Sequence, residues 1–145
     1  MSHLPLEGVR ILEASDALAL PHAIHLLGDM GAEIIQVEYA GRPNMFRSSG
    51  AFPDNEPGIE FWNRSGSFNQ WNRNKLSITL DLNHSEGKAV FKALVRVSDI
   101  VAENFTARVM KNFGLGYSEL RSVKEDLIML SNTGYGHSGP WRNFV

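Results

Sequence analysis

Short apolar runs alternate along the chain with segments in which apolar residues recur every three or four positions. The first two runs are VRILEA and EIIQVE, at residues 9–14 and 33–38. Between them, the helical spacing is carried by Ala23, Leu26, Leu27 and Met30. This pattern predicts a strand, a helix and a second strand. Pro21 suits the first turn of the helix, and Gly31 suits its C-terminal cap.

The second half of the chain repeats this alternation. LSITLDL (residues 76–82) alternates as a strand, and Ser85 is the predicted N-cap of a helix that follows it. Further along, the pattern predicts a strand, two short helices and a fifth strand at residues 99–104, 107–114, 117–123 and 126–132. Residues 39–70 are rich in Gly, Pro, Ser and Asn with scattered aromatics, which predicts an ordered excursion without regular elements.

Strands separated by helices indicate an α/β protein with a doubly wound, mainly parallel sheet that is covered on both faces. Ligands of such sheets bind beyond the carboxyl ends of the strands. NRNK (residues 72–75) precedes the third predicted strand, whereas LDLN (residues 80–83) ends it, so the latter is the better candidate for ligand contact. The same rule selects the segments at residues 15–21, 38–41, 103–108 and 131–140.

Composition narrows the class of protein. A chain of 145 residues with 43% hydrophobic residues predicts one domain, and a net charge of -2 argues against a nucleic-acid partner. The absence of cysteine excludes disulfides, a thiolate zinc site and a cysteine nucleophile, and it fits a reducing compartment. No apolar run approaches the ~20 residues that span a bilayer, and the N-terminus lacks the order of a signal peptide. We therefore expect a soluble, cytoplasmic protein.

Few segments carry a recognisable chemistry. The first strand-to-helix turn, EASDALALP, has no glycine, so the G-x-G-x-x-G fingerprint of a dinucleotide site is absent. His22, His25 and Asp29 share one helical face and could ligate a metal, but a solvated polar face opposite Ala23, Leu26 and Met30 is the favoured interpretation. NRNK either binds phosphate or ends the irregular segment at residues 39–70 and solvates the start of the third strand. His137, in a glycine-rich loop, is either an acid or base or a solvated side chain.

Five stretches together resemble the class III CoA-transferase family, which includes formyl-CoA and carnitine CoA-transferases and the related α-methylacyl-CoA racemases. They are LEGVRILEAS, LALPHAIHLLGDMGAEIIQVE, NRNKLSITLDLNHSEGKAVFKALV, DIVAENFTARVMKNFGLGYSELRS and LIMLSNTGYGHSGPW. The resemblance implies a Rossmann-like, CoA-binding N-terminal domain and an interlocked homodimer. It also implies coenzyme A or an acyl-CoA as substrate, a carboxylic acid as acceptor, and no metal.

The resemblance also implies particular contacts with CoA. These fall on Leu18, Ala19, Leu80, Asp81, Leu82, Asn83, Asn104, Phe105 and Thr106. Two positions depart from the family, because Tyr39 stands where many relatives carry an arginine that meets CoA, and Asn112 stands where a basic residue is usual. Since CoA is anionic, another cation is expected to compensate. Lys111 is the first choice, followed by Arg108 or Arg42.

The implied reaction is transfer of CoA between carboxylic acids through covalent catalysis by an aspartate. By resemblance, that aspartate lies beyond Val145, as does the histidine of the racemases. Residues 1–145 are thus expected to form an incomplete N-terminal domain that binds CoA but is inactive alone and depends on a partner. The alternatives are a 2-methylacyl-CoA racemase or epimerase and a noncatalytic CoA-binding subunit. A longer reading frame that carries the aspartate would exclude the noncatalytic subunit.

Overall fold

A computed structural model describes residues 3–144 and contains a five-stranded sheet in the order β3-β2-β1-β4-β5. The strands are β1 Arg10–Ala14, β2 Glu33–Glu38, β3 Lys75–Thr79, β4 Ile100–Glu103 and β5 Ile128–Ser131. All four neighbouring pairs are parallel. The predicted doubly wound α/β fold is therefore confirmed.

Helices connect the strands and lie on both faces of the sheet. They are α1 Ala19–Asp29, α2 Gly66–Trp71, α3 Ser85–Arg96, α4 Val109–Asn112 and α5 Tyr117–Arg121. No helix within residues 3–144 combines the length and apolarity that crossing a membrane requires.

The excursion between β2 and β3 is more regular than its composition suggests. It contains α2 and three short 3₁₀ turns, at Met45–Arg47, Pro53–Asn55 and Phe61–Asn63, so the expectation of no regular element is wrong. The Ser65 hydroxyl caps α2 by accepting a hydrogen bond from the Phe68 amide at 3.3 Å. Phe68 is buried beneath the guanidinium of Arg47, which lies 3.6 Å from the ring centroid.

Helix α1 begins and ends as predicted but presents a different face to the sheet. Pro21 lies in the first turn, and Gly31 follows the cap residue with a φ of 105°. The residues that α1 buries are Leu20, Pro21, Ile24 and His25. Leu26 and Met30 are 43% and 45% exposed, so the predicted apolar stripe is not the packed face.

The segment between β3 and α3 also differs from its prediction. β3 ends at Thr79, because an Asp81 carboxylate oxygen accepts a hydrogen bond from the Asn83 amide at 2.9 Å and turns the chain. The N-cap of α3 is His84 rather than Ser85. Ser85 is the first helical residue, and its hydroxyl donates to Glu86 at 2.9 Å.

Apolar residues from the sheet pack against helices on each face. Helix α3 buries Phe91 and Val95 completely in one layer, together with Leu12 and Val101 from the central strands. The opposite layer, under α1, contains Ile11, Leu20, Ile24, Ala32, Ile34 and Ala102. Because β2 and β4 lie on opposite sides of β1, the chain reverses its winding direction between β1 and β4.

Candidate functional site

A cavity of about 270 Å³ opens at the carboxyl edge of the sheet, next to this switch point. The loops that follow four strands line it, and their contributions are residues 14–16, 37–39, 80–83 and Phe105, with Arg42 at the rim. The loops meet there because parallel strands all end at the same edge. The sequence-based choice of the strand exits over the strand entry is consistent with this placement.

The structure brings together five of the nine residues that the resemblance assigns to CoA. Leu80, Asp81, Leu82, Asn83 and Phe105 line the cavity. Leu18, Ala19, Asn104 and Thr106 lie in or next to the same loops but not on the cavity wall. Lys111 lies elsewhere, in a separate cavity of about 770 Å³ that Glu103, Glu119 and His137 also line.

Asn104 joins the loops that follow β1 and β4. Its side-chain amide donates to the Asp16 carbonyl at 2.7 Å, and its side-chain oxygen accepts from the Asp16 amide at 3.0 Å. Ala17 has a φ of 60°, a conformation that costs a non-glycine residue about 1–3 kcal/mol and persists only where neighbours enforce it. Asn104 is therefore a positioning residue, whose hydrogen bonds hold the loop after β1 in its shape.

Asp81 is held as a carboxylate at the cavity wall. The Asn83 backbone amide is the main cause that lowers the pKa of Asp81, and the Asn83 side chain adds a second hydrogen bond at 2.9 Å. Gly87, in the first turn of α3, permits this arrangement. A Cβ atom there would lie 2.0 Å from the Asp81 carbonyl oxygen. Only glycine, which has no Cβ, therefore allows the helix and the loop to come this close.

An ion pair is buried beneath the loop after β1. The Lys75 ammonium lies 2.8 Å from a Glu13 carboxylate oxygen, and the two side chains are 1% and 0% exposed. Lys75 also donates to the Pro21 carbonyl and the Asn72 side chain, each at 3.1 Å. Burial lowers the pKa of Lys75, whereas Glu13 opposes that shift.

One further hydrogen bond connects this ion pair to a residue that lines the cavity. The Ser15 hydroxyl, which lines the cavity, donates to the Glu13 carboxylate at 2.5 Å. Lys75, at the entry of β3, thus supports a loop at the exit of β1. Since Lys75 is enclosed by protein groups, NRNK acts in the architecture of the site, and the phosphate-binding alternative is wrong for its lysine.

The other two polar residues of NRNK bind Asp29 at the end of α1. Arg73 and Asn74 each donate to its carboxylate at 2.6 Å, and Arg73 is the main cause that lowers the pKa of Asp29. His25 is completely buried, so the interpretation of a solvated polar face is wrong at that position. Within residues 3–144, no group of three or more His, Asp or Glu side chains is arranged so that it could hold a metal ion.

His25 packs where α1 meets α2, and neither of its ring nitrogens has a hydrogen-bond partner in the described structure. The His22 ring lies 4.8 Å away, and the Trp71 ring lies 6.4 Å away. Burial is the main cause that lowers the pKa of His25, and Arg73 and His22 act in the same direction. The folded protein therefore favours the neutral imidazole.

This histidine is expected to make the protein less stable in mild acid. The unfolded chain takes up a proton near the ordinary histidine pKa of ~6.5, while the folded state resists it, so the stability falls as the pH drops below that value. Replacing His25→Phe should flatten the dependence between pH 7 and pH 5. Urea unfolding at several pH values measures this dependence, with a substitution of an exposed loop histidine, His137→Phe, as the control. An unchanged pH slope in His25→Phe would contradict the assignment.

The parallel doubly wound sheet with a cavity at its switch point places the protein in the class of open α/β folds, whose ligands bind at this edge of the sheet. The sequence narrows this class to one family. The profile of CoA-transferase family III matches residues 6–145, and the chain belongs to this family. The resemblance seen in the sequence is thereby confirmed.

Several relatives of this chain are CoA-transferases by name. The chain is 37% identical over 140 residues to the beta subunit of succinyl-CoA–L-malate CoA-transferase from Chloroflexus aurantiacus, covering 97% of this chain and 33% of the relative. It is 39% identical to mouse succinyl-CoA:glutarate CoA-transferase, covering 94% and 30%. The chain therefore spans about a third of the length of these relatives.

Solved structures support the same relationship. A CaiB/BaiF family protein from Brucella suis superposes with a TM-score of 0.85 at 33% identity, covering 99% of this chain and 37% of that protein. Rv3272 from Mycobacterium tuberculosis superposes with a TM-score of 0.83 at 34% identity, covering 96% and 36%. The described sheet and helices are thus the arrangement found in these proteins.

Proposed function

We propose that this chain is the CoA-binding, N-terminal part of a CoA-transferase and that CoA binds in the switch-point cavity. One observation supports this proposal most strongly. Residues 80–83 and Phe105 belong to two separate stretches that resemble the family, and both line the same cavity. The names of the relatives favour a transferase over the racemase alternative. The chain spans about a third of the length of these relatives, so the activity of the whole protein is part of the proposal.

The cavity suits a segment of CoA rather than the whole molecule. Its volume of about 270 Å³ lies below the ~300–1,000 Å³ typical of sites that enclose a drug-sized ligand. Its wall combines apolar side chains, among them Val37, Leu82 and Phe105, with the Asp81 carboxylate, which can accept a hydrogen bond from an amide or hydroxyl. We propose that the remainder of CoA lies across the open rim.

The proposed reaction moves CoA from one carboxylic acid to another. A catalytic aspartate of the whole enzyme attacks the thioester carbonyl, the carbon–sulfur bond breaks, and CoA leaves as the thiolate. The thiolate then attacks the aspartyl carbonyl of the mixed anhydride, releases the donor carboxylate and forms an aspartyl-CoA thioester, from which the acceptor acid receives CoA by the reverse steps. This chain's part is to bind and orient CoA for those steps.

The proposal extends to the assembly and setting of the whole protein. Two relatives are named as alpha and beta subunits of one enzyme, which supports an assembly of more than one chain. We propose an interlocked homodimer in the cytoplasm.

Calorimetric titration of the chain with CoA and with NAD tests the binding site. CoA is expected to bind more tightly, because the first turn lacks the glycines of a dinucleotide site. Asp81→Ala and Asn104→Ala are each expected to weaken CoA binding several-fold, since both remove hydrogen bonds that shape the loops. Asp126→Ala, an exposed carboxylate before β5, is the charge-matched control for Asp81.

Circular dichroism of each variant separates loss of the site from loss of the fold. Tighter binding of NAD than of CoA would contradict the proposal. Equal CoA affinities in the wild type, Asp81→Ala and Asn104→Ala would place the ligand elsewhere on the molecule.

A further inference from the structure

The switch-point cavity is lined mainly by neutral and acidic side chains, although CoA is anionic. Three acidic residues, Asp16, Glu38 and Asp81, belong to its lining. Among the described residues that line it, Arg42 is the one lysine or arginine. Lys111, the first candidate from the sequence, lines the other cavity. Arg42 is therefore the basic residue that this lining offers to a phosphate group.

The neighbouring arginine is already committed to another partner. Arg47 makes a bidentate pair with the Glu38 carboxylate, with one nitrogen–oxygen distance of 2.7 Å, and the two side chains are only 14% and 10% exposed. Arg47 also donates to the Trp62 carbonyl at 2.8 Å. This arginine neutralises Glu38 and has little freedom to turn toward a ligand.

Arg42, in contrast, is loosely held. Its side chain is 81% exposed and approaches Asp16 with a nitrogen–oxygen distance of 3.4 Å. An exposed pair of this kind is readily exchanged, since solvent screens the attraction and the side chain regains rotational freedom when it leaves.

The backbone on both sides of this pair is firmly placed. The Arg42 amide donates to the Tyr39 carbonyl at 3.0 Å, which closes a tight turn at the rim. Asp16 accepts a hydrogen bond from the Ala17 amide at 2.8 Å, and its own backbone is bound by Asn104. The guanidinium can therefore move while its attachment point and the Asp16 carboxylate stay in position.

We propose that Arg42 is the phosphate-binding cation of this site and that it exchanges Asp16 for a phosphate group of CoA. The inference rests on the proposed function, because it takes CoA as the ligand. A guanidinium presents two parallel N–H donors to phosphate oxygens, so the new contact is stronger than the 3.4 Å pair that it replaces. Asp16 then acts as a competitor that holds Arg42 at the rim in the unliganded chain.

Calorimetry with CoA and with pantetheine, which has no phosphate, tests this assignment. Arg42→Ala should weaken CoA binding by about tenfold to a hundredfold and leave pantetheine binding unchanged. Arg42→Lys should fall between, because lysine keeps the charge without the bidentate donors. Asp16→Asn should strengthen CoA binding several-fold, since it removes the competing charge but keeps an oxygen for the Ala17 amide. Arg96→Ala, at the far end of α3, is the charge-matched control.

The outcomes separate this inference from the proposed function. CoA affinity that is equal in the wild type and Arg42→Ala would overturn the role of Arg42 and leave the CoA site standing. Equal losses of CoA and pantetheine binding in Arg42→Ala would also overturn it, because the arginine would then support the cavity rather than bind phosphate. If the wild-type chain binds no CoA, the proposed function and this inference both fail.

Discussion

Replacing Lys75→Met is expected to lower the free energy of unfolding by about 3–5 kcal/mol, the largest loss we expect from a single substitution in this chain. Lys75 and Glu13 are almost completely buried, and the substitution leaves the Glu13 carboxylate without its cation. Water cannot reach that carboxylate to compensate. Urea denaturation of the two proteins, compared at one pH, measures the difference.

The double variant Glu13→Leu/Lys75→Met provides the control. Removing both charges should recover much of the lost stability, since an apolar pair of similar volume avoids the cost of desolvating two ions. It should not restore the hydrogen bond that Glu13 accepts from Ser15, so ligand binding would recover less than stability. Equal destabilisation in the single and double variants would show that the cost comes from packing rather than from an unpaired charge.

Gly87→Ala is expected to destabilise the protein by about 1–3 kcal/mol, although the same change inside most helices stabilises them by up to ~1 kcal/mol. The reversal comes from the 2.0 Å approach of the new Cβ to the Asp81 carbonyl oxygen, because a backbone atom cannot rotate away as a side chain can. Helix α3 or the loop after β3 must move. Thermal and urea unfolding measure the cost.

The same substitution is expected to weaken CoA binding, because residues 80–83 line the cavity. Ser85→Ala, an exposed change in the same helical turn, serves as the control and should leave both properties nearly unchanged. Increased stability in Gly87→Ala would mean that the loop relaxes without cost, and the close approach would then have no role in shaping the site.

The order of strands and helices could be predicted from the sequence because it depends on local periodicity. Apolar runs and helical repeats identified all five strands and four of the helices. Helix α2 was missed because its glycine, serine and asparagine are typical of loops. Ser65, three residues before the buried Phe68, was the available signal for its start.

Interactions between distant segments could not be predicted in this way. Lys75 and Glu13 are 62 positions apart in the sequence. Local periodicity does not show that the start of β3 packs beneath the loop that follows β1. The buried face of α1 was misjudged because polarity alone assigned His25 to the solvent. The sequence also does not show that Lys111, on α4, lines a different cavity from residues 80–83.

The central place of β1 has a consequence for the order in which the chain folds. Arg10 and Glu33, where β1 meets β2, are 23 positions apart, whereas Arg10 and Asp99, where β1 meets β4, are 89 positions apart. Closing the longer loop costs about 1.2 kcal/mol more conformational entropy in the unfolded chain. The β1–α1–β2 unit is therefore the cheaper first contact. The cavity, which needs the loop after β4, is complete only after the second closure.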